Sequence, residues 1–374
     1  GAELGDEATS SLSERYATYP LVQNMILTER IRTAALESDG QKQIFYTKSN
    51  EGWFRTLFVL EGRALDQIYT PWMFFTLNAV VWTCISELVL PPQNPEDFIP
   101  FEGFVSLVAT ATLSFLLVFR LNRSAERYWV ARQAWGNIIA YSRTMVSGVL
   151  VEGRCNPAVR DDVIRWIAAF AVSNCTFMHG NREIPPAFLT GIINEKELLA
   201  LENSIHPPIH CMDEIRWNLH NLFHVDADTP VNIAYSRTQQ KIHLEELLDA
   251  LMINTGSMER IKSTPLPLVY VTHLRTWLFL FLFFMPYIWS ASLGWITIPT
   301  VCLSGFAYLG LDGAAREVEA PFQRDRVNHL SMDAYVLLLM KNILQQIREA
   351  ADRDLQLNAN HRQEHSENER NESL

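Results

Sequence analysis

QIYTPWMFFTLNAVVWTCIS, residues 67–86, runs without a single charge. A helix rises 1.5 Å per residue, so about 20 apolar residues cross the roughly 30 Å hydrocarbon core of a bilayer. This stretch is one crossing long. Gly103–Phe119, GFVSLVATATLSFLLVF, is a second candidate, and Thr276–Leu311 is uncharged throughout. The latter is too long for one span and long enough for two, with SASLG at 290–294 as the hairpin between them. Four spans are expected, at 67–88, 103–120, 268–290 and 294–311. A core helix of a soluble protein would keep a solvated face, which these stretches lack.

Charge sets their orientation. Between Ser86 and Arg120 there is no Lys or Arg, only Glu87, Glu96, Asp97 and Glu102. Arg120, Arg123, Arg127, Arg132 and Arg143 follow the second stretch, Lys48, Arg55 and Arg63 precede the first, and Arg316, Arg324 and Arg326 follow the last. Positive charge is retained on the inner side of a membrane. The N-terminus, the long 120–275 segment and the C-terminus therefore share one side, and the two short hairpins lie on the other.

The rest of the composition excludes rather than identifies. The 374 residues carry 42 acids against 31 bases, a net charge of -11, which argues against a nucleic-acid partner. Five cysteines are widely spaced with no CxxC pair, so neither a disulfide framework nor a zinc ribbon is expected. Between the spans, DDVIRWIAAFAVSNCTF at 161–177 and QQKIHLEELLDALMIN at 239–254 repeat apolar residues at threes and fours, and Glu195–Glu202 is a shorter helical candidate. The fold class is all-α, with a soluble helical region over 121–263. Residues 1–45 form a polar N-terminal segment, and 353–374 read as a disordered polar tail.

Within the second span, Leu107, Ala111, Phe115, Phe119 and Arg123 recur every four residues and share one helix face. An aromatic stripe of this kind is either packing or the lining of a pore. Its continuation into Arg120, Arg123 and further arginines favours a pore, because a cationic vestibule below an apolar constriction concentrates anions. Ring edges carry the positive end of the aromatic quadrupole and tolerate a passing anion.

FRLNRSAERYWVARQAWGNIIAYSR at 119–143 resembles the signature that follows the second membrane helix of bestrophins. WFRTLF at 53–58, IRWIAAFAVSNCTFMHG at 164–180, TPLPLVYVTHLRTWLFLF at 264–281 and EVEAPFQRD at 317–325 resemble other family segments, in order and in register. The 164–180 stretch is closest to chloroplast and bacterial branches. The resemblance covers roughly residues 50–345 and implies a channel domain over 46–352. It also implies a homopentamer in lipid with one axial pore, passing chloride and similar monovalent anions, or bicarbonate as in algal relatives. No enzymatic chemistry or cofactor is implied. The family's neck falls on Ala111, Phe115 and Phe119, with Ala111 standing where animal members have Ile. A second constriction upstream of Pro-Leu-Val-Tyr falls on Leu248. A thylakoid membrane is expected from the chloroplast-like resemblance and from an opening on Gly1, which suggests a removed leader; a plasma membrane is the alternative.

Animal members hold calcium after the fourth helix. Glu317, Asp325 and Asn328 are the matching oxygen donors here, but Ala320 replaces an Asn and Arg324 and Arg326 interrupt the acidic run. Calcium control is set against those departures. A reading of another class rests on His206, His210, Cys211, His220, His224 and Asp226, which crowd into one segment. Two histidines at i and i+4 can share a metal, yet histidine-box membrane enzymes need further paired boxes that this sequence lacks. His179 and His273 stand alone and read as structural. Glu126, Arg127, Arg316, Glu317 and Glu319, close to the span ends, read as partners in ion pairs between subunits.

Overall fold

The computed structural model describes residues 19–49, 65–89, 99–181, 183–324 and 326–372. WFRTLF at 53–58, Glu96, Asp97 and Asp325 lie outside the described residues. All regular structure among the described residues is helical, as the periodicities predict. In chain order the helices are α1 (Pro20–Ser49), α2 (Leu65–Leu88), α3 (Ile99–Glu152), α4 (Pro157–His179), α5 (Pro186–Leu189), α6 (Glu195–Asn203), α7 (Pro207–Leu222), α8 (Val231–Ser263), α9 (Leu268–Leu293), α10 (Thr297–Glu319) and α11 (Met332–Glu372). The chain folds into two compact units. The tail from residue 353 differs from the sequence reading, because α11 continues through it to Glu372.

The first unit comprises residues 1–44, 133–259 and 331–374. Its centre is α4, whose residues from Val163 to Thr176 are buried apart from Arg165, which is half-buried. A helix apolar on every side needs partners all around it, and α7 and α11 both pack against it. Its ends are fixed locally. The Asn156 side chain accepts from Val159 N, Pro157 opens the first turn, and Gly180 closes the helix at a left-handed φ of 87°. Asn194 and Glu197 form a reciprocal capping box on α6. Buried Arg160 pairs with Asp161 at 2.8 Å, its guanidinium 4.0 Å from the Tyr19 ring centroid, and the Tyr19 hydroxyl donates to Asp354. Burial, reinforced by that hydrogen bond, pushes the Tyr19 hydroxyl up to about 12.

The second unit comprises residues 45–132 and 260–330. Leu65–Leu88 and Leu268–Glu319 are long and apolar enough to cross a membrane. The latter is two helices, α9 and α10, joined by a 3-10 turn at Gly294–Ile296. Gly294 has φ 51°, a left-handed backbone that calls for glycine, and a Cβ there would sit 3.2 Å from a Glu87 carboxylate oxygen. The core joins Ile68, Phe75 and Ala79 of α2 with Leu113 and Leu117 of α3, Leu278 and Leu282 of α9, and Val301 and Leu309 of α10.

Polar side chains tie the apolar helices together. Trp72 Nε1 donates to the Cys302 carbonyl at 2.9 Å, Asn78 Nδ2 to the Phe283 carbonyl at 3.1 Å, and Trp82 Nε1 to Ser290 Oγ at 3.1 Å. Inside lipid there is little hydrophobic drive between helices, so such bonds and close small-residue contacts supply the specificity. Gly305 shows the latter: a Cβ would lie 3.3 Å from the Trp72 ring.

Candidate pore face

The site is built on the part of α3 that belongs to the second unit. Alternate faces of this helix have opposite environments. Leu113 and Leu117 are fully buried in the core, and Arg120 and Ser124 continue that ridge. On the other face Leu107, Ala111, Phe115, Phe119 and Arg123 are all exposed, Phe115 by 71%. Large aromatic and aliphatic side chains left uncovered in a row mark a surface awaiting water in a pore, lipid or another subunit.

The lower end of the row is cationic. Arg123 reaches Glu126 Oε2 at 2.9 Å one turn away, and its guanidinium lies 5.3 Å from the Phe119 ring centroid. Both partners of that ion pair are more than half exposed, so the pair itself adds little stability. Phe119 also meets Tyr270 of α9, ring centroids 6.4 Å apart. Leu116, Phe119, Arg120 and Arg123 of α3, with Leu266, Pro267, Tyr270, Val271 and Leu274, border a cavity of about 260 Å³ beside this corner.

Arg120 departs from the sequence reading. One residue beyond Phe119 rotates about 100° around a helix, which turns Arg120 off the row and onto the packed ridge. There it is 5% exposed and pairs with Asp312 of α10, which Arg275 of α9 also approaches at 3.3 Å. Arg120 joins three helices rather than facing the vestibule.

Leu248 is a second correction. It is fully buried in the first unit, on the α8 ridge of Leu244, Leu248, Leu251, Thr255 and Met258. A residue so covered cannot narrow a water-filled path, and its apolar character reflects core packing.

Of the calcium donors, Asp325 lies outside the described residues and Glu317 is differently engaged. Glu317 Oε2 accepts from Gln67 Nε2 at 2.6 Å and faces Arg326 at 3.7 Å, while Oε1 faces His329 Nε2 at 3.9 Å. Donors and cations surround this carboxylate, whereas calcium requires a cage of oxygens. Arg127 and Glu319 at the span ends are likewise engaged within the chain. Arg127 donates to the carbonyls of Glu319 and Ile261, and Glu319 Oε1 accepts from Leu266 N.

His329 gives this corner a pH response. Its Nδ1 accepts from Gln323 N at 2.9 Å, and burial, only partly offset by Glu317, lowers its pKa from the ordinary 6.5. The unfolded chain therefore binds the proton more readily than the folded one, so stability from this group is complete above about pH 6.5 and declines as pH falls below it. Protonation of Nδ1 also removes the acceptor for Gln323. The protection of the Gln323 amide, measured against the intrinsic exchange rate at each pH, is expected to fall at pH 5 relative to pH 7.5, and His329→Gln is expected to flatten that difference. Equal protection at both pH values would refute the assignment.

The histidine-rich segment disperses. His206 Nε2 lies 2.6 Å from Glu259 Oε1 while its Nδ1 caps α7, Cys211 is fully buried, and Lys241 Nζ is 3.1 Å from His220 Nδ1. His220 and His224 stack edge to face on the surface, centroids 5.9 Å apart. Among the described residues the three-ligand cluster lies elsewhere: Cys175, His179 and Asp333, whose ligand atoms are within 4.8 Å of one another. Cys175 and His179 are one turn apart on α4, a spacing visible in the sequence, but Asp333 is 158 positions beyond Cys175. Neither its type nor its spacing announces the pairing.

Comparison with known proteins agrees with the architecture. A family model described as Bacterial/Fungal Bestrophin protein matches residues 44–345. A voltage-dependent anion channel-forming protein of Nostoc sp. is 30% identical over 79% of this chain and 92% of its own length. The chloroplastic voltage-dependent chloride channel 1 of Arabidopsis thaliana is 25% identical over 77% of this chain and 67% of its own length. The fold is similar to a crystal structure of a bacterial bestrophin homolog from Klebsiella pneumoniae, with a TM-score of 0.62 and 20% identity over 75% of this chain and 98% of that one.

Proposed function

The chain belongs to the bestrophin family of anion channels, and from that premise we propose that it conducts chloride through a homopentamer whose axial pore is lined by α3. It is a membrane channel, not an enzyme. The single observation that carries the proposal is the uncovered row Leu107, Ala111, Phe115, Phe119 and Arg123 on a helix whose opposite face is packed. Ala111, Phe115 and Phe119 form the neck, with Ala111 as its wider top, and Arg123 opens the vestibule below. Four spans per subunit carry this arrangement: α2, the first part of α3, α9 and α10. The arginine-rich ends keep the N-terminus, the 121–263 region and the C-terminus on one side.

An isolated subunit would set Arg123 and the polar end of the row against lipid, which is costly. Five copies around an axis place them on water instead. Mass photometry of the detergent-solubilised protein is expected to give particles of about five chains, and planar-bilayer recording to give reversal potentials that follow the chloride gradient. A stable monomer or dimer, or currents following the cation gradient, would overturn the reading. Bicarbonate gradients in the same recording determine whether that ion shares the path. We place the channel in a thylakoid membrane, supported by the chloroplastic Arabidopsis relative; its recovery in another membrane on fractionation would refute that placement.

A further inference from the structure

The last turn of α4 and the first turn of α11 bring together a sulfur, a nitrogen and an oxygen donor that conduction does not use. The Cys175 thiol donates to Asp333 Oδ1 at 3.6 Å, and Cys175 Sγ lies 3.8 Å from His179 Nδ1. Cys175 and Asp333 are buried and His179 is half-buried. We propose that Cys175, His179 and Asp333 form a three-ligand zinc site that fastens the end of α4 to the start of α11.

Geometry and donor chemistry both support zinc. With Zn–S near 2.3 Å and Zn–N or Zn–O near 2.0–2.1 Å, a tetrahedral centre has ligand-to-ligand edges of about 3.3–3.6 Å. The two sulfur edges already lie within a few tenths of that range. The third, at most 4.8 Å, closes by rotation of the imidazole or the carboxylate. A mixed thiolate, imidazole and carboxylate set suits zinc and is poorly matched to magnesium or calcium, which prefer oxygen alone. Zinc binding releases the thiol proton, so the Cys175–Asp333 hydrogen bond is replaced by two metal bonds. The fourth position, beside half-buried His179, takes water. The two turns belong to helices that already pack together within the first unit, so the ion finds its ligands preassembled. The site is independent of the pore and of the histidine-rich segment.

The full-length protein, purified without a polyhistidine tag, is incubated with zinc and then dialysed against zinc-free buffer. Elemental analysis is expected to find about one zinc per chain, with Cys175→Ser and Asp333→Asn losing it and His220→Ala/His224→Ala keeping it. Cobalt(II) offers a readout on the unmutated protein: a near-ultraviolet thiolate-to-cobalt band, abolished in Cys175→Ser. Zinc at a hundredfold excess over its dissociation constant should shift the unfolding equilibrium of the wild type about a hundredfold, raising its melting temperature but not that of Cys175→Ser. A folded wild type that retains no zinc overturns the proposal. So does zinc retained undiminished by Cys175→Ser, zinc lost only in the His220/His224 variant, or a cobalt spectrum without thiolate character.

Discussion

The Phe115→Ala/Phe119→Ala double variant is expected to assemble as the wild type does and to carry several-fold more anion current per channel. Two outcomes compete here, and burial decides between them. Truncating a phenylalanine inside a packed core costs about 3–5 kcal/mol, and a double truncation of that kind would abolish expression. Phe115, however, is 71% exposed and Phe119 is 41% exposed. Substitutions at uncovered positions usually change stability by about 0.5 kcal/mol or less. The rings are thus available for a role in the pore. Two of them, one helical turn apart on each of five subunits, would form an apolar constriction that empties of water when narrow. Alanine widens the constriction and removes the drying surface, so conductance or open probability rises. Discrimination between anions of different hydration energy falls, since each ion keeps more of its water. An intact oligomer with wild-type conductance and selectivity would remove the neck from α3.

The second large effect is electrostatic. Arg123→Glu is expected to cut anion current by roughly an order of magnitude at low salt, the scale on which a charged funnel concentrates ions. Because Arg123 already pairs with Glu126, the change does more than delete a cation: it leaves two carboxylates one turn apart on every subunit. The loss should shrink as ionic strength rises and the screening length falls toward a few ångströms. Arg123→Lys keeps the sign and should conduct nearly as the wild type does. Identical conductance of the Glu and Arg forms across the salt range would show that Arg123 does not face the permeating ion.

The membrane helices were legible because charge is expensive in lipid, so long uncharged stretches such as 67–86 and 276–311 have few alternative readings. The Leu107–Phe119 row was equally legible, since a repeat of four keeps residues on one helix face. Arg120 was not, because proximity to Phe119 along the chain outweighed the rotation between adjacent residues. Its true register, Leu113, Leu117, Arg120 and Ser124, alternates steps of four and three, the signature of a buried ridge. Leu248 failed for a related reason: a leucine at a core spacing looks the same whether it seals a pore or fills a core. The Cys175–His179 half of the metal cluster is visible as an i, i+4 pair, while Asp333 arrives only through the packing of α11 on α4. Long-range pairings of this kind leave no periodicity behind.

The all-round burial of α4 has a consequence for biosynthesis. To the machinery that sorts a nascent chain into lipid, the apolar run from Val163 to Met178 is a candidate span, because that decision precedes folding. Arg165 settles it. It interrupts the run two residues from its start, and the uncharged residues remaining after it, 166–178, are too few to cross. After folding, the same guanidinium is held by Glu197 at 2.6 Å and by Asp162 at 2.6 Å. One side chain thus directs the helix away from the bilayer during synthesis and anchors it in its own protein core afterwards.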